Sequence, residues 1–248
     1  MKRNLWIAFA PAICLCAAGA LAYDPESCYE TRDIEGWTVH VNHALLNGKA
    51  DLATDTLKVL EAQLLQVRRA VPEPALSKLR EVPIWVEAQS KVKCMCYHPS
   101  VEWLRNNGFN PAKAKSVELG NPKSFLDWTK HQFWMVFHEL AHAYHDRILG
   151  WDDLEIKRVF QDAVKSGKYE SVLKHNGKMG RHYALNNQKE FFAEMSEAYL
   201  GTNDFYPFVR AELQQYDPEA FDLLKSIWEG GQIPSRTKAN DRTEKSTK

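Results

Sequence analysis

The pattern of apolar residues changes its period several times along the first half of the chain. Residues 36–41 alternate between polar and apolar side chains and are rich in β-branched residues, which predicts a strand. Residues 51–70 place apolar side chains at helical spacing and are followed by two prolines, which predicts a helix ending near residue 70. Two further short runs, 82–87 and 116–119, are predicted as strands.

From residue 124 onward every strongly patterned segment is helical. The segment 129–149 is apolar around most of its circumference, opens on a Thr-x-x-Gln pattern typical of a capping box, and is followed by Gly150. We expect such a helix in the interior. Four tryptophans are also expected in the core: Trp103, Trp128, Trp134 and Trp151. A second helix is predicted over 188–200. This order predicts an α+β fold, with a small N-terminal mixed sheet and a mostly helical C-terminal half.

The composition is that of one globular domain, which we predict over residues 23–229. Of the 248 residues, 44% are hydrophobic and 26% are charged, and the formal net charge is zero. This neutrality gives no indication of nucleic acid as a partner, and none is predicted. Residues 230–248 contain almost no apolar side chain, so they are predicted to be a disordered polar tail.

The first 22 residues have the pattern of a signal peptide. A positively charged start precedes an uncharged apolar run, and residues 20–22 (Ala-Leu-Ala) have small side chains at the two positions that a signal peptidase reads. The apolar run is shorter than the ~20 residues that span a membrane, so cleavage before Tyr23 is expected rather than a membrane anchor. The protein is therefore predicted to be secreted or periplasmic, without stable membrane association after cleavage.

Removal of that segment leaves three cysteines, Cys28, Cys94 and Cys96. In an oxidising compartment this odd number allows one disulfide and one free thiol. Because Cys94 and Cys96 are close in sequence, we predict a disulfide from Cys28 to one of them, with the choice left open. A zinc site built from the three cysteines is the alternative, and export disfavours it.

The buried helix carries the sequence His138-Glu139-Leu140-Ala141-His142, an HExxH motif. Residues four apart on a helix share one face, so both imidazoles can reach a single ion at about 2.0–2.1 Å. Glu139 lies beside that ion, where it can accept a proton from a metal-activated water. Both histidines could instead be ordinary core or surface residues, but burying the three side chains unpaired would be costly. Zn²⁺ is therefore the predicted cofactor.

A third metal ligand is expected from the predicted helix 188–200. Glu190 and Glu194 are four residues apart and face the same way, so one can bind the metal while the other supports a ligand histidine. The alternative is a solvent-exposed acidic face, which the two phenylalanines between them disfavour. His145 is expected to lie off the metal.

The HELAH sequence is followed by Tyr183, which precedes Glu190 of the run EFFAE by seven residues. This combination resembles the gluzincin metallopeptidases of the anthrax lethal-factor catalytic type. The resemblance spans residues 129–200, and the tyrosine–glutamate spacing is its specific part. It implies a zincin-like fold, Glu190 as the third zinc ligand beside His138 and His142, and Tyr183 as a hydrogen-bond donor to the developing oxyanion.

Together these expectations predict a secreted zinc metallopeptidase that hydrolyses peptide bonds in a peptide or protein substrate. Glu139 is the predicted base, and the strand over 116–119 is the predicted sheet edge on which the substrate lies. Two alternatives stay open. One is a zinc amide hydrolase acting on cell-wall or other non-protein bonds, since fold and metal do not decide the substrate. The other is a zinc-binding protein without turnover, which Glu139 argues against because a structural zinc site needs no base.

Overall fold

The structure, a computed structural model, describes residues 23–230. The predicted signal peptide and residues 231–248 of the predicted tail lie outside the described residues, so both stay predictions. In the described range a five-stranded mixed sheet in the N-terminal half is followed by a mostly helical C-terminal half, which confirms the predicted α+β fold. No helix within residues 23–230 has both the length and the apolar character that crossing a membrane requires.

The strands of the main sheet all lie in the first half of the chain, and helices make up most of the second half. The strands are β1 (Tyr29–Ile34), β2 (Trp37–Asn42), β3 (Ile84–Val86), β4 (Met95–Tyr97), β5 (Val117–Leu119), β6 (Val172–Leu173) and β7 (Met179–Gly180). The helices are α1 (His43–Gly48), α2 (Ala50–Ala70), α3 (Ala75–Arg80), α4 (Val101–Asn106), α5 (Pro122–Trp128), α6 (Met135–Tyr144), α7 (Leu154–Ser166), α8 (Gln188–Leu200), α9 (Arg210–Tyr216) and α10 (Pro218–Glu229).

The main sheet has the strand order β1-β2-β3-β5-β4. β1 and β2 form an antiparallel hairpin whose turn has positive φ at Glu35 (56°) and Gly36 (91°), a conformation that glycine adopts without steric cost. β2, β3 and β5 are parallel, and β4 is antiparallel to β5. The predicted strands appear as β2, β3 and β5, and the predicted helix over 51–70 appears as α2.

The prediction that residues 116–119 form the open sheet edge is wrong. β5 lies between β3 and β4, so both of its sides are already paired. The outer strand on this side is β4, which has only three residues and follows a lysine- and cysteine-containing stretch with little strand pattern. The strand available for pairing is therefore Met95–Tyr97.

The predicted helix over 129–149 is wrong at its start. Helix α5 begins earlier, because Asn121 caps it by accepting a hydrogen bond from the Ser124 amide at 3.1 Å. Thr129 therefore lies at the end of α5, where its hydroxyl donates to the Phe125 carbonyl at 2.9 Å, and no capping box forms there. The buried helix α6 starts at Met135 and continues into a π-helical turn, which Gly150 ends at φ 85°.

The predicted disulfide is also wrong, since Cys28, Cys94 and Cys96 are all free thiols. Cys28 directly precedes β1, whereas Cys96 lies in β4, and these strands are opposite edges of the sheet. Four strand spacings amount to roughly 19 Å. A disulfide requires Cα atoms within about 7 Å, so the sheet itself keeps Cys28 from its predicted partners.

The sheet has an apolar face and a polar face. On the apolar face, buried residues of β2, β3 and β5 such as Val39, Ile84 and Leu119 pack in the same core as α2 and α6. The cross-strand register adds Met95 and Tyr97 of β4 to this face. Helix α6 therefore passes beneath the edge strand, which brings its polar residues close to the backbone of β4.

Candidate metal centre

Helices α6 and α8 pack against each other and carry the residues of the predicted site. Helix α8 begins at Gln188 because the Asn187 side chain accepts hydrogen bonds from the Lys189 and Glu190 amides at 2.9 and 3.1 Å. This cap places Glu190 in the first turn. The next residues of α8 are almost all buried, so the helix is held in the interior against α6.

The structure brings His138, His142 and Glu190 together. The Glu190 Oε2 atom lies 3.1 Å from His138 Nε2 and 3.3 Å from His142 Nε2. Ligand atoms that bind zinc tetrahedrally at 2.0–2.1 Å lie about 3.3 Å from one another, so these separations fit a shared zinc ion. The three side chains therefore form a group that could hold a metal.

The second nitrogen of His138 is held by a carboxylate that the sequence interpretation missed. His138 Nδ1 lies 2.6 Å from Glu197 Oε1 and 3.6 Å from Glu194 Oε1, so only Glu197 is at hydrogen-bonding distance. Glu194 Oε2 instead accepts from Asn203 Nδ2 at 3.0 Å. Glu197 is seven residues after Glu190, and the helical repeat could have placed it on the same face.

Hydrogen bonds between these groups shift their pKa values in opposite directions. Burial lowers the pKa of His138, but the hydrogen bonds with Glu190 and Glu197 outweigh this effect and raise the pKa well above its usual value. Burial raises the pKa of Glu190, but hydrogen bonds from His138 and His142 outweigh it and lower the pKa. His138 and Glu190 therefore favour an ion pair of imidazolium and carboxylate. A metal ion bound by both groups would take the place of the proton between them.

Glu139 is oriented by the sheet rather than by another side chain. Its Oε2 atom accepts a hydrogen bond from the Tyr97 backbone amide of β4 at 2.8 Å. Burial raises the pKa of Glu139 and outweighs the opposite effects of the two histidines and of the Tyr97 hydrogen bond. A raised pKa and a fixed orientation beside the two histidines suit a carboxylate that accepts a proton.

A cavity of about 150 Å³ opens beside this group. Its lining combines the site residues with apolar and acidic side chains: Met95, Trp128, Gln132, Met135, His138, Glu139, Tyr183, Glu194, Glu197 and Asp204. Trp128 is 42% exposed, which corrects its expected position in the core and follows from its place at the end of α5. The same expectation is wrong for Trp103, which is 50% exposed in the short helix α4. The cavity makes His138 and Glu139 accessible to a ligand.

Tyr183 lies at the mouth of this cavity, in a 3₁₀ turn just before α8. Its side chain is 48% exposed. Burial of the hydroxyl and the charge of Glu190 raise its pKa, so the phenol stays protonated at neutral pH and can donate a hydrogen bond.

His145 lies outside the donor group. It is fully buried, and its ring packs between Trp151 and Phe192 at centroid distances of 4.9 and 5.0 Å. Burial and the neighbouring His142 lower its pKa to about 3, so it packs as a neutral aromatic ring.

No protein-family model and no curated protein matches this chain. Among solved structures, the chain is similar to a PRO-PRO endopeptidase from Paenibacillus alvei, with 19% sequence identity and a TM-score of 0.42. The match covers 79% of this chain and 99% of that chain. Membership of the gluzincin family stays a prediction.

The contacts of His138 predict that Glu197→Gln weakens metal binding more than Glu194→Gln does. Glu197 accepts the only short hydrogen bond at His138 Nδ1 among the described residues, and losing such support typically costs about 10–100-fold in affinity. Zinc affinity can be measured by competition with a chromogenic chelator, with the exposed Glu61→Gln as the matched control. A larger loss for Glu194→Gln than for Glu197→Gln would contradict this assignment.

Proposed function

We propose that this protein is a zinc-dependent peptidase. The observation that carries the proposal is the position of Glu190 Oε2, which lies 3.1 Å from His138 Nε2 and 3.3 Å from His142 Nε2. The Glu139 carboxylate lies on the same helix, directly after His138. Two imidazoles and one carboxylate that leave a fourth position open toward a cavity are the usual ligands of a catalytic zinc.

The residues of this chain divide the work of hydrolysis between them. When bound, zinc supplies Lewis acidity for the scissile carbonyl and for the attacking water. The Glu139 carboxylate, held by the Tyr97 amide, takes the proton from that water and returns it to the leaving amine. The Tyr183 hydroxyl donates a hydrogen bond to the oxyanion of the tetrahedral intermediate. Glu197 keeps the His138 ring oriented with its Nε2 atom toward the metal.

The free edge of β4 favours a peptide as the substrate. The backbone groups of Cys94 and His98 form hydrogen bonds with Gly120 and Ser116, the residues that flank β5. Because backbone direction alternates along a strand, those of Met95 and Tyr97 point away from β5. The Tyr97 amide is used by Glu139, which leaves the Met95 amide and both carbonyls to pair with an extended chain. Met95 also lines the cavity, so such a chain would pass beside the metal group. A non-protein amide would make no use of this edge.

The proposal predicts different defects for ligand and base variants. Purified protein should contain about one zinc ion per chain, and His138→Ala should lose it, because two donors bind zinc more weakly than three. Glu139→Gln should keep the zinc while turnover falls about 10²–10⁴-fold, because only the proton acceptor is lost. Zinc is measured by elemental analysis and turnover on a peptide library analysed by mass spectrometry, with and without a chelator.

Two exposed positions supply matched controls, His43→Ala and Glu61→Gln, and both should retain zinc and turnover. Protein without zinc after purification in the absence of chelators would contradict the metal assignment. A zinc-loaded protein that cleaves no peptide, but hydrolyses cell-wall or other non-protein amides, would replace the peptidase by the alternative hydrolase.

The role proposed for Tyr183 predicts a loss in kcat without a loss of metal. Tyr183→Phe removes only the hydroxyl, and losing one oxyanion donor typically lowers kcat by about 10²–10³. Zinc content and KM should change little, since phenylalanine keeps the ring and the hydroxyl is not among the predicted metal ligands. Steady-state kinetics on one cleaved peptide tests this, and an unchanged kcat would remove Tyr183 from the mechanism.

A further inference from the structure

The wall of the cavity beyond Glu139 is strongly acidic. Glu194, Glu197 and Asp204 all line the cavity, and no lysine or arginine does. A zinc ion would carry two positive charges, which the carboxylates of Glu190 and Glu139 already balance. Burial raises the pKa values of Glu194 and Asp204, that of Asp204 to about 7 with the charge of Glu197 adding to the effect, so a bound cation would favour the ionised form of either group.

Two of these carboxylates have partners that account for their burial. Glu197 is bonded to His138 and Glu194 to Asn203. Asp204 differs, because its carboxylate makes no ion pair and no hydrogen bond to another residue of the described chain. Lys174 is the nearby cation, and its Nζ atom lies over the Phe205 ring at 4.8 Å without pairing with Asp204.

The backbone around Asp204 is fixed, so its carboxylate is held at the cavity. The Asp204 carbonyl accepts a hydrogen bond from the His175 amide at 2.8 Å. On either side, the Asn203 side chain bonds the Glu194 carbonyl at 2.7 Å and accepts from the Phe205 amide at 2.7 Å. These bonds tie the loop after α8 to the helix that supplies Glu190. An unpaired, partly buried carboxylate in a fixed position is a preformed partner for a cation from outside the chain.

We propose that Asp204 selects substrates with a lysine or arginine side chain close to the scissile bond, and that the side-chain cation binds the Asp204 carboxylate. The inference rests on the proposed peptidase function and deepens it by naming the substrate class. The cavity joins Asp204 to Glu139 and Tyr183, so a side chain that reaches Asp204 belongs to a residue beside the bond being cleaved. An acidic side chain would find carboxyl groups and no lysine or arginine in the cavity wall, so it would be disfavoured there.

The test compares matched peptides that differ only in one charge. Peptides cleaved from the library are remade with lysine or acetyl-lysine at each of the positions flanking the cleaved bond, because acetylation keeps the side chain and removes its charge. At one flanking position kcat/KM should be about 10–100-fold higher for lysine, the usual range for a hydrogen bond to a charged group. In Asp204→Asn this ratio should fall toward one, while Asp222→Asn, an exposed aspartate of α10, should keep it.

Each outcome is decisive. Equal kcat/KM values for lysine and acetyl-lysine peptides at every position would overturn the inference and leave the peptidase intact. A lysine preference that survives in zinc-loaded Asp204→Asn would overturn the assignment to Asp204. If the native protein cleaves no peptide, the proposed function fails and this inference fails with it.

Discussion

The site depends on a cluster of carboxyl groups around two imidazoles, in which burial raises the pKa values of Glu139, Glu194 and Asp204. Five carboxylates surround two imidazoles there, with no lysine or arginine in the cavity wall: Glu139, Glu190, Glu194, Glu197 and Asp204 around His138 and His142. Burying a carboxylate without a counter-charge is costly, so the arrangement needs positive charge from a protonated imidazole or from a metal. His138 is the side chain most directly affected, because carboxylates of α8 lie at hydrogen-bonding distance from both of its nitrogens. A cation bound by the two histidines and Glu190 would relieve this imbalance.

The fold supplies that arrangement through the first turn of α8 and through the edge strand β4. Asn187 starts α8 at the position that sets Glu190 facing α6, and the fully buried Phe191 and Phe192 hold this register. From the other side, the edge strand β4 gives one amide to Glu139 and keeps its remaining outward groups free. The same short strand therefore orients the base and offers the surface on which an extended substrate can pair.

Much of this could be predicted from the sequence, because helical spacing is a strong signal. The positions of His138, Glu139, His142 and Glu190 on two buried helices follow from it, as does the α+β order. The sequence pattern was weak where tertiary contacts decide. The three residues of β4 are too few to show an alternation of polar and apolar side chains, so the sequence favours β5 as the sheet edge. Thr129 and Gln132 have the spacing of a capping box. The helix nevertheless starts earlier, at the Asn121 cap, and Thr129 lies at its C-terminal end.

Other features needed the three-dimensional structure. The predicted disulfide does not form because the strand order separates Cys28 from Cys96. The spacing of cysteines in the sequence does not encode that order. Asp204 carries no motif, and only its place in the cavity connects it with the site. Glu197 was within reach of sequence reasoning, since it shares the helical face of Glu190. The EFFAE run instead favours Glu194 as the carboxylate that supports a ligand histidine.

X-ray absorption spectroscopy at the zinc edge tests the central claim most directly, because it reports the atoms bound to the metal. The structure predicts a shell of nitrogen and oxygen only, at about 2.0–2.1 Å, with the multiple-scattering pattern of two imidazoles. His142→Ala should remove half of that imidazole signal from any zinc that still binds. A sulfur contribution at about 2.3 Å would mean that Cys94 or Cys96 binds the metal and would contradict the site built from His138, His142 and Glu190.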